Sequence, residues 1–180
     1  GQVKMMNTTS PRPSTGGPGR FATLREKLRA AQGRHGKVGV IRALTSERWS
    51  QTGQRDLIAI PMSALGGERI YVRPQTTDLS NACAYVTHGI HLPPPGVSDP
   101  RRIVELGTNI GAGLTALALA YPQARLAGVE PDGGNFAVAQ LNTARFGARV
   151  ELIRAAIWDR EAELVLEEER DVLAQVHGPG

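Results

Sequence analysis

The stretch from Ile103 to Tyr121 constrains the fold of this chain more than any other part. Its apolar start at Ile103 predicts the end of a buried strand, and the apolar run 114–121, which Pro122 stops, predicts a helix. A glycine-rich turn, residues 107–113, joins the two. Where a strand, a glycine turn and a helix N-terminus meet, backbone N–H groups point at a ligand with no side chain in the way. The stretch therefore predicts a cradle for a nucleotide-like cofactor.

After residue 100 the apolar pattern alternates between short strands and amphipathic helices. The pattern predicts strands at Ile103–Leu106, Leu126–Glu130 and Val150–Ile153, and helices at Gly111–Tyr121 and Gly133–Arg145. Asp132 is expected to cap the second helix, and Ala137, Leu141 and Ala144 to form its apolar face. Strands and helices in this order predict an α/β fold with a parallel sheet and right-handed crossovers. The acidic, alternating run 163–168 predicts an exposed hairpin strand after the sheet.

The residues before this alternation predict a distinct N-terminal region. Its predicted elements are a helix over residues 21–31 that Gly33 stops, a hairpin of Leu57–Pro61 and Ile70–Arg73, and a helix over residues 81–88 that Thr77 or Asp78 caps. We expect three parts in all: a disordered leader over residues 1–20, a helix and hairpin region over 21–98, and a cofactor-binding domain over 99–180.

Positive charge is concentrated in the N-terminal part of the chain. Residues 1–54 carry ten Lys/Arg and two Glu, a net charge of +8, whereas residues 55–180 carry a net −4. A basic arm can bind nucleic acid, but we expect a solvated, disordered leader without a nucleic-acid partner.

The lone Cys83 excludes an internal disulfide and is expected to be a small buried residue. No apolar run approaches the ~20 residues of a membrane span and no signal-peptide pattern is present, so the sequence predicts a cytoplasmic protein without a membrane partner.

The glycine turn lacks the signatures of two common nucleotide sites. A phosphate-binding P-loop needs Lys-Ser/Thr after its last glycine, but Gly113 is followed by Leu114. A dinucleotide fingerprint needs G-x-G-x-x-G, and the glycines at 107, 111 and 113 are spaced differently. Glu105, just before the turn, is unfavourable for a pyrophosphate anion and favourable for a ligand that bears positive charge.

Residues at the ends of the second and third predicted strands would complete a nucleoside site. Glu130 ends the second strand, where its carboxylate can accept from both hydroxyls of a ribose. The small and apolar segment Ala155–Asp159 can form a slot for an adenine ring, with the Asp159 carboxylate accepting from the exocyclic amine. These features are common to NAD and S-adenosylmethionine sites, so they indicate a nucleoside cofactor without choosing between the two. No metal site is indicated.

Four sequence blocks, in this order, resemble the FkbM-type S-adenosylmethionine-dependent methyltransferases. They run from Ile70 to Leu79, from Ile103 to Gly111, from Gly128 to Phe136 and from Val150 to Arg160. The resemblance covers residues 55–168. It implies a class I methyltransferase fold with a Rossmann-like sheet and S-adenosyl-L-methionine as cofactor. It also implies methyl transfer to a hydroxyl of a small molecule or glycan, as in O-methylation during natural-product biosynthesis.

The resemblance implies roles for individual residues as well. Three groups of residues would face the three parts of the cofactor. The methionine part would face Glu105, Gly107, Thr108, Asn109 and Gly111, and the ribose would face Glu130, Pro131 and Asp132. The adenine would face Ala156, Ile157 and Asp159. The resemblance identifies no catalytic base, which a hydroxyl acceptor would need to lose its proton. Asp78, His88 and His91 are candidates, because they precede the glycine turn and can reach the pocket.

The family pattern continues beyond the acidic hairpin with a fourth core strand that has no counterpart in these 180 residues. Without it the strand Ile103–Leu106 is expected to be an open apolar edge of the sheet. We therefore expect a fragment or split part of a longer methyltransferase, or a chain whose sheet a partner chain or a second copy completes. Two other functions stay open, an NAD-dependent oxidoreductase and a non-catalytic binding module.

Overall fold

The computed structural model describes residues 23–45, 57–91, 93, 96–158, 165–167 and 175–177. The helices are α1 Leu24–Ala30, α2 Gly33–Thr45, α3 Asp78–His88, α4 Ala112–Ala120 and α5 Gly133–Thr143. The strands are β1 Ile58–Pro61, β2 Arg69–Val72, β3 Arg102–Leu106, β4 Arg125–Val129, β5 Val150–Ile153, β6 Val165–Glu167 and β7 Gln175–His177. Short 3₁₀ segments lie at Ser63–Leu65 and Ala144–Arg149, and the second is kinked at Gly147.

Strands β3, β4 and β5 form a parallel sheet in that order, with α4 and α5 as the connections between them. Leu114 and Leu117 of α4 pack with Leu126 of β4 in one apolar cluster on one face of this sheet. The predicted α/β, Rossmann-like fold is confirmed. The predicted N-terminal cap of α5 is confirmed as well, because the Asp132 carboxylate accepts from the backbone N–H of Asn135 at 2.6 Å.

Helix α2 is an element that the sequence pattern did not predict. Gly33 was expected to stop α1, but it begins α2, so that prediction is wrong. Glycine weakens a helix, which hides the pattern of this one. Two further glycines bring α2 close to β1: a Cβ on Gly36 would lie 3.0 Å from the Pro61 carbonyl oxygen, and one on Gly39 3.2 Å from Cγ1 of Ile60. Close packing of the helix on the hairpin therefore explains residues that look like helix breakers.

The predicted hairpin is confirmed, because β1 and β2 pair antiparallel with Ile58 opposite Val72. The predicted cap of α3 is wrong. The Thr77 side chain makes no capping hydrogen bond, and Asp78 is the first residue of the helix, with its carboxylate bound to Arg73 instead. Cys83 is buried in α3 as expected, and burial raises the pKa of its thiol to about 11. A thiolate is therefore not available there at neutral pH.

The buried side of α5 differs from the predicted one. Leu141 is 50% exposed and Ala137 and Ala144 are exposed, so the apolar face assigned to them is wrong. The side that packs inward carries Val138, Ala139, Asn142 and Thr143. Two polar residues thus stand in the buried face, where apolar periodicity alone does not find them.

Asn142 joins α5 to the N-terminal hairpin and to the glycine turn. Its Oδ1 accepts from the backbone N–H of Tyr71 at 2.7 Å. Its Nδ2 donates to the Tyr71 carbonyl at 3.1 Å and to the Ile110 carbonyl at 2.7 Å. The side chain is fully buried, so these three bonds connect β2, α5 and the turn without help from solvent.

One face of the parallel sheet is open in the described part of the chain. Val104 and Leu106 of β3 are 63% and 58% exposed, and Ile153 of β5 is 41% exposed. The register places these three side chains on the face opposite Leu126, away from the α4 cluster. Strand β3 also ends the sheet, since β4 is its one partner among the described strands. An apolar sheet face and an unpaired strand edge therefore lie side by side.

The C-terminal part contains a second hairpin, in which β6 pairs antiparallel with β7. The strand predicted within the acidic run 163–168 is confirmed at Val165–Glu167. The predicted leader, residues 1–20, lies outside the described residues, and the three domain boundaries stay predictions. Among the described residues no helix is long and apolar enough to cross a membrane.

Candidate functional site

The glycine turn lies at the carboxyl ends of β3 and β4. The backbone N–H groups of Gly107 and Thr108 both donate to the Val129 carbonyl, each at 2.9 Å, so the turn folds over the end of β4. Gly107 and Gly111 have φ angles of 73° and 75°, a region that favours glycine. A Cβ on Gly111 would also lie 3.1 Å from the Cα of Ala139 in α5. The conformation and the packing of the turn both require glycine at this position.

Glu130 is held in one orientation at the mouth of this turn. Its Oε2 accepts from the backbone N–H of Asn109 at 2.8 Å, and its Oε1 accepts from the backbone N–H of Asp132 at 3.0 Å. The side chain of Asn135 donates to the same Oε1 at 3.3 Å. Glu130 is only 5% exposed, so its carboxylate is a fixed acceptor between the turn and the start of α5.

Glu105 lies at the other side of the turn, at the end of β3. The Thr108 hydroxyl donates to its Oε2, and its Oε1 lies 3.0 Å from Nδ1 of His91. Gly113 leaves the room for this carboxylate, because a Cβ there would collide with Oε1. Burial raises the pKa of Glu105 to about 7, although the bonds from Thr108 and from the Leu114 backbone oppose the shift. A buried carboxyl of this kind favours a cationic neighbour.

Of the three candidate bases, the structure brings His91 to the glycine turn. His91 is bound to Glu105, and its ring meets that of Tyr85 edge to face with 4.3 Å between the centroids. Burial lowers the pKa of His91. Burial also raises the pKa of the Tyr85 hydroxyl, and the charges of Glu105 and Glu130 add to this shift. Asp78 is engaged by Arg73, and His88 is exposed at the end of α3, without a described contact to the turn.

The remaining predicted site residues lie around or outside this centre. Pro131 is half-buried between Glu130 and Asp132. In the segment predicted to hold the adenine, Ala156 is half-buried, Ile157 is 55% exposed, and Asp159 lies outside the described residues. The roles assigned to the predicted residues therefore stay predictions, with the glycine turn, Glu105, Glu130 and Asp132 brought together at one end of the sheet.

Sequence reasoning missed Asn135, which contacts Glu130, and Arg73, which contacts Asn135. Arg73, at the end of β2, donates from Nη2 to Oδ1 of Asn135 at 2.6 Å. Arg73 lies in the first of the four sequence blocks that resemble FkbM-type methyltransferases, and Asn135 lies in the third. Their place in these blocks was the sequence signal that could have identified them as site residues. Nothing in local periodicity links two residues that are 62 positions apart.

Glu105 should make the folded state less stable as pH rises toward neutrality. Its pKa is about 7 when folded and 4.5 ordinarily, so its stabilising contribution is complete below pH 4.5 and lost as pH rises through 7. A shift of this size corresponds to roughly 3 kcal/mol. Urea unfolding of the wild type and of Glu105→Gln between pH 4 and 8 measures the difference. The wild type should lose stability relative to the variant across this range.

The matched control for this measurement is Glu151→Gln, which changes an exposed glutamate of the same sheet. This variant should follow the wild-type pH profile. Parallel profiles for the wild type and Glu105→Gln would show that the carboxyl of Glu105 ionises normally, and the expectation would be wrong.

Comparison with known proteins identifies a relative that carries out methyl transfer. The chain is 30% identical over 118 residues to the release factor glutamine methyltransferase of Bordetella pertussis. The match covers 58% of this chain and 41% of the relative, so the chain spans less than half the length of that methyltransferase. No family model matches the chain.

Proposed function

We propose that this chain carries the S-adenosylmethionine-binding part of a class I methyltransferase. The observation that carries the proposal is the placement of two buried carboxylates, Glu105 and Glu130, on either side of one glycine turn at the carboxyl ends of adjacent parallel strands. Ligands of open α/β sheets bind at this end of the strands. The similarity to a methyltransferase supports the same conclusion from the sequence.

The chemistry of the residues present fits this cofactor. Glu105 is a buried acid in a place where a cationic methionine part gains from its charge, and Glu130 is a fixed acceptor suited to a ribose. The backbone of the glycine turn can approach a ligand closely, because a Cβ on Gly107 would meet only open space. The cofactor would supply an activated methyl group, and the protein would hold it against the acceptor.

We propose a hydroxyl of a small molecule or glycan as the methyl acceptor, on the resemblance to FkbM-type enzymes. A glutamine side chain is the second candidate, favoured by the name of the Bordetella relative. Incubation with labelled S-adenosylmethionine and two acceptor panels, one of glycans and one of glutamine-containing peptides, distinguishes them. Label transfer to the peptides alone would refute the hydroxyl acceptor.

Calorimetric titration with S-adenosylhomocysteine and with NAD tests the cofactor. We expect micromolar binding of S-adenosylhomocysteine by the 180-residue chain and no measurable binding of NAD. Binding of NAD alone would replace the proposal with an oxidoreductase. Binding of neither nucleoside by a folded chain would favour a module without catalytic function.

We also propose that a second copy of this chain pairs with β3 when the 180 residues are isolated. The support is the unpaired strand edge next to the exposed Val104 and Leu106. In a longer protein or with a partner chain, another strand would take the same place.

Leu106→Lys should therefore reduce self-association of the isolated chain, because it places a charge on the open sheet face. Size-exclusion chromatography with light scattering should show a dimer or larger species for the wild type and a shift toward monomer for the variant. Leu141→Lys is the matched control, since Leu141 is 50% exposed on α5 and its change should leave the mass unaltered. A wild-type monomer that unfolds cooperatively and binds the cofactor tightly would contradict the proposal.

A further inference from the structure

We infer that Asn135 is a second ribose-binding residue beside Glu130, and that Arg73 is the positioning residue that fixes the direction of its amide. The inference rests on the proposed cofactor site and adds to it a contribution from the N-terminal hairpin region. It is carried by a chain of side-chain contacts from Asp78 through Arg73 and Asn135 to Glu130.

The chain of contacts begins with a fixed arginine. The guanidinium of Arg73 donates to both oxygens of Asp78, from Nε and from Nη2, each at 2.8 Å. The backbone N–H of Arg73 donates to the same carboxylate at 2.9 Å. Asp78 is 1% exposed and the Arg73 side chain 14% exposed. A bidentate pair this well buried holds the arginine in one orientation.

Arg73 then determines which way the Asn135 amide faces. An arginine has only N–H donors, so the amide atom 2.6 Å from Nη2 must be the oxygen. Nδ2 is consequently directed to the other side, where it donates to Oε1 of Glu130 at 3.3 Å. The reversed amide would place a donor against Arg73 and an acceptor against a carboxylate, and both contacts would be repulsive.

This orientation pairs a donor with an acceptor where the ribose is proposed to bind. A ribose hydroxyl both donates and accepts, so it can donate to Glu130 while its oxygen accepts from Nδ2 of Asn135. The 3.3 Å bond between Asn135 and Glu130 is the longest that Glu130 makes, so it is the one that a hydroxyl can most readily share. The positive charge of Arg73 also faces Glu130 and Asp132, which offsets the concentration of carboxylates there.

The experiment compares S-adenosylhomocysteine with its 2′-deoxy and 3′-deoxy analogues by calorimetry. We expect the wild type to discriminate against at least one deoxy analogue by about 100-fold, because the missing hydroxyl would contact both the charged Glu130 and Asn135. In Arg73→Met and in Asn135→Asp this discrimination should be about tenfold smaller, the effect of losing the one hydrogen bond from Asn135. The discrimination shown by Arg73→Lys should lie between those of the wild type and Arg73→Met, because lysine retains the positive charge but not the bidentate contact with Asp78. A purely structural role would weaken all three ligands alike and leave their ratio unchanged.

Asn135→Asp keeps the test informative if Arg73→Met does not fold. The new carboxylate retains a partner in Arg73, and it replaces the donor that faces Glu130 with an acceptor. Arg125→Met, at the opposite end of the sheet, is the control and should match the wild type. Undiminished discrimination in folded Arg73→Met or Asn135→Asp would overturn this inference alone. A wild type that binds no S-adenosylhomocysteine would overturn the proposed function and the inference with it.

Discussion

Glu130→Gln is expected to weaken the binding of S-adenosylhomocysteine at least 100-fold, the largest effect on binding that we anticipate for a single site. The carboxylate offers acceptors only, and its two oxygens meet N–H groups of Asn109 and Asp132 on opposite sides. A glutamine must turn its NH₂ toward one of these donors, so the side chain is displaced. The proposed ribose loses one or two hydrogen bonds to a charged group, each worth ~1.5–3 kcal/mol.

Calorimetry on the wild type, Glu130→Gln and Glu151→Gln measures this effect. Glu151 is an exposed glutamate of the neighbouring strand, so its variant controls for loss of negative charge in the sheet. Thermal unfolding of each protein must accompany the titration, since the glycine turn is bound to Glu130 through Asn109. If a folded Glu130→Gln protein retained wild-type affinity, Glu130 would not be the ribose acceptor.

Asn142→Ala is expected to destabilise the fold by about 3–5 kcal/mol, a large part of the stability of an ordinary domain. The substitution removes the partner of the N–H and carbonyl of half-buried Tyr71 and of the carbonyl of buried Ile110. Each orphaned group costs ~1–3 kcal/mol. Urea unfolding, followed by circular dichroism, measures the change.

Gln140→Ala is the matched control, because Gln140 is an exposed amide in the same helix. Its effect should stay within about 0.5 kcal/mol. Asn142→Asp should also destabilise, since it keeps the acceptor for the Tyr71 N–H but loses both donated bonds. A loss below 1 kcal/mol for Asn142→Ala would mean that water replaces the amide and that α5 and β2 are joined by other contacts.

The features of this fold that could be predicted are those that depend on local sequence patterns. Strands β3 to β5 and helices α4 and α5 follow from apolar periodicity, and Asp132 follows from the preference of aspartate for helix starts. Glu105 and Glu130 could be placed near the glycine turn because the carboxyl ends of parallel strands meet at one edge of a sheet. Each of the two is recognised from its place at the end of a predicted strand, before the contacts between the strands are known.

The features that escaped prediction depend on contacts between distant parts of the chain. The glycines in α2 predict an interrupted helix when the sequence is considered alone. Their close approach to strand β1 explains them, and that contact is not visible in the sequence. Asn142 bonds to Tyr71 across 71 positions, and Arg73 bonds to Asn135 across 62. A polar residue in an apolar helix face gives no sign of its partner, so the pattern favoured Leu141, which is half-exposed, as the packing residue.

The amide of Asn142 does for β2 what a neighbouring strand would do. It accepts from the N–H and donates to the carbonyl of one residue, Tyr71, and this two-bond exchange is the one that a strand makes with its antiparallel neighbour. A side chain thereby terminates the hairpin where another molecule could otherwise add to it. β3 lacks such a terminator among the described residues. If strands add at β3 as proposed, assembly is expected to be directional, because the outer edge of β2 is already engaged at Tyr71.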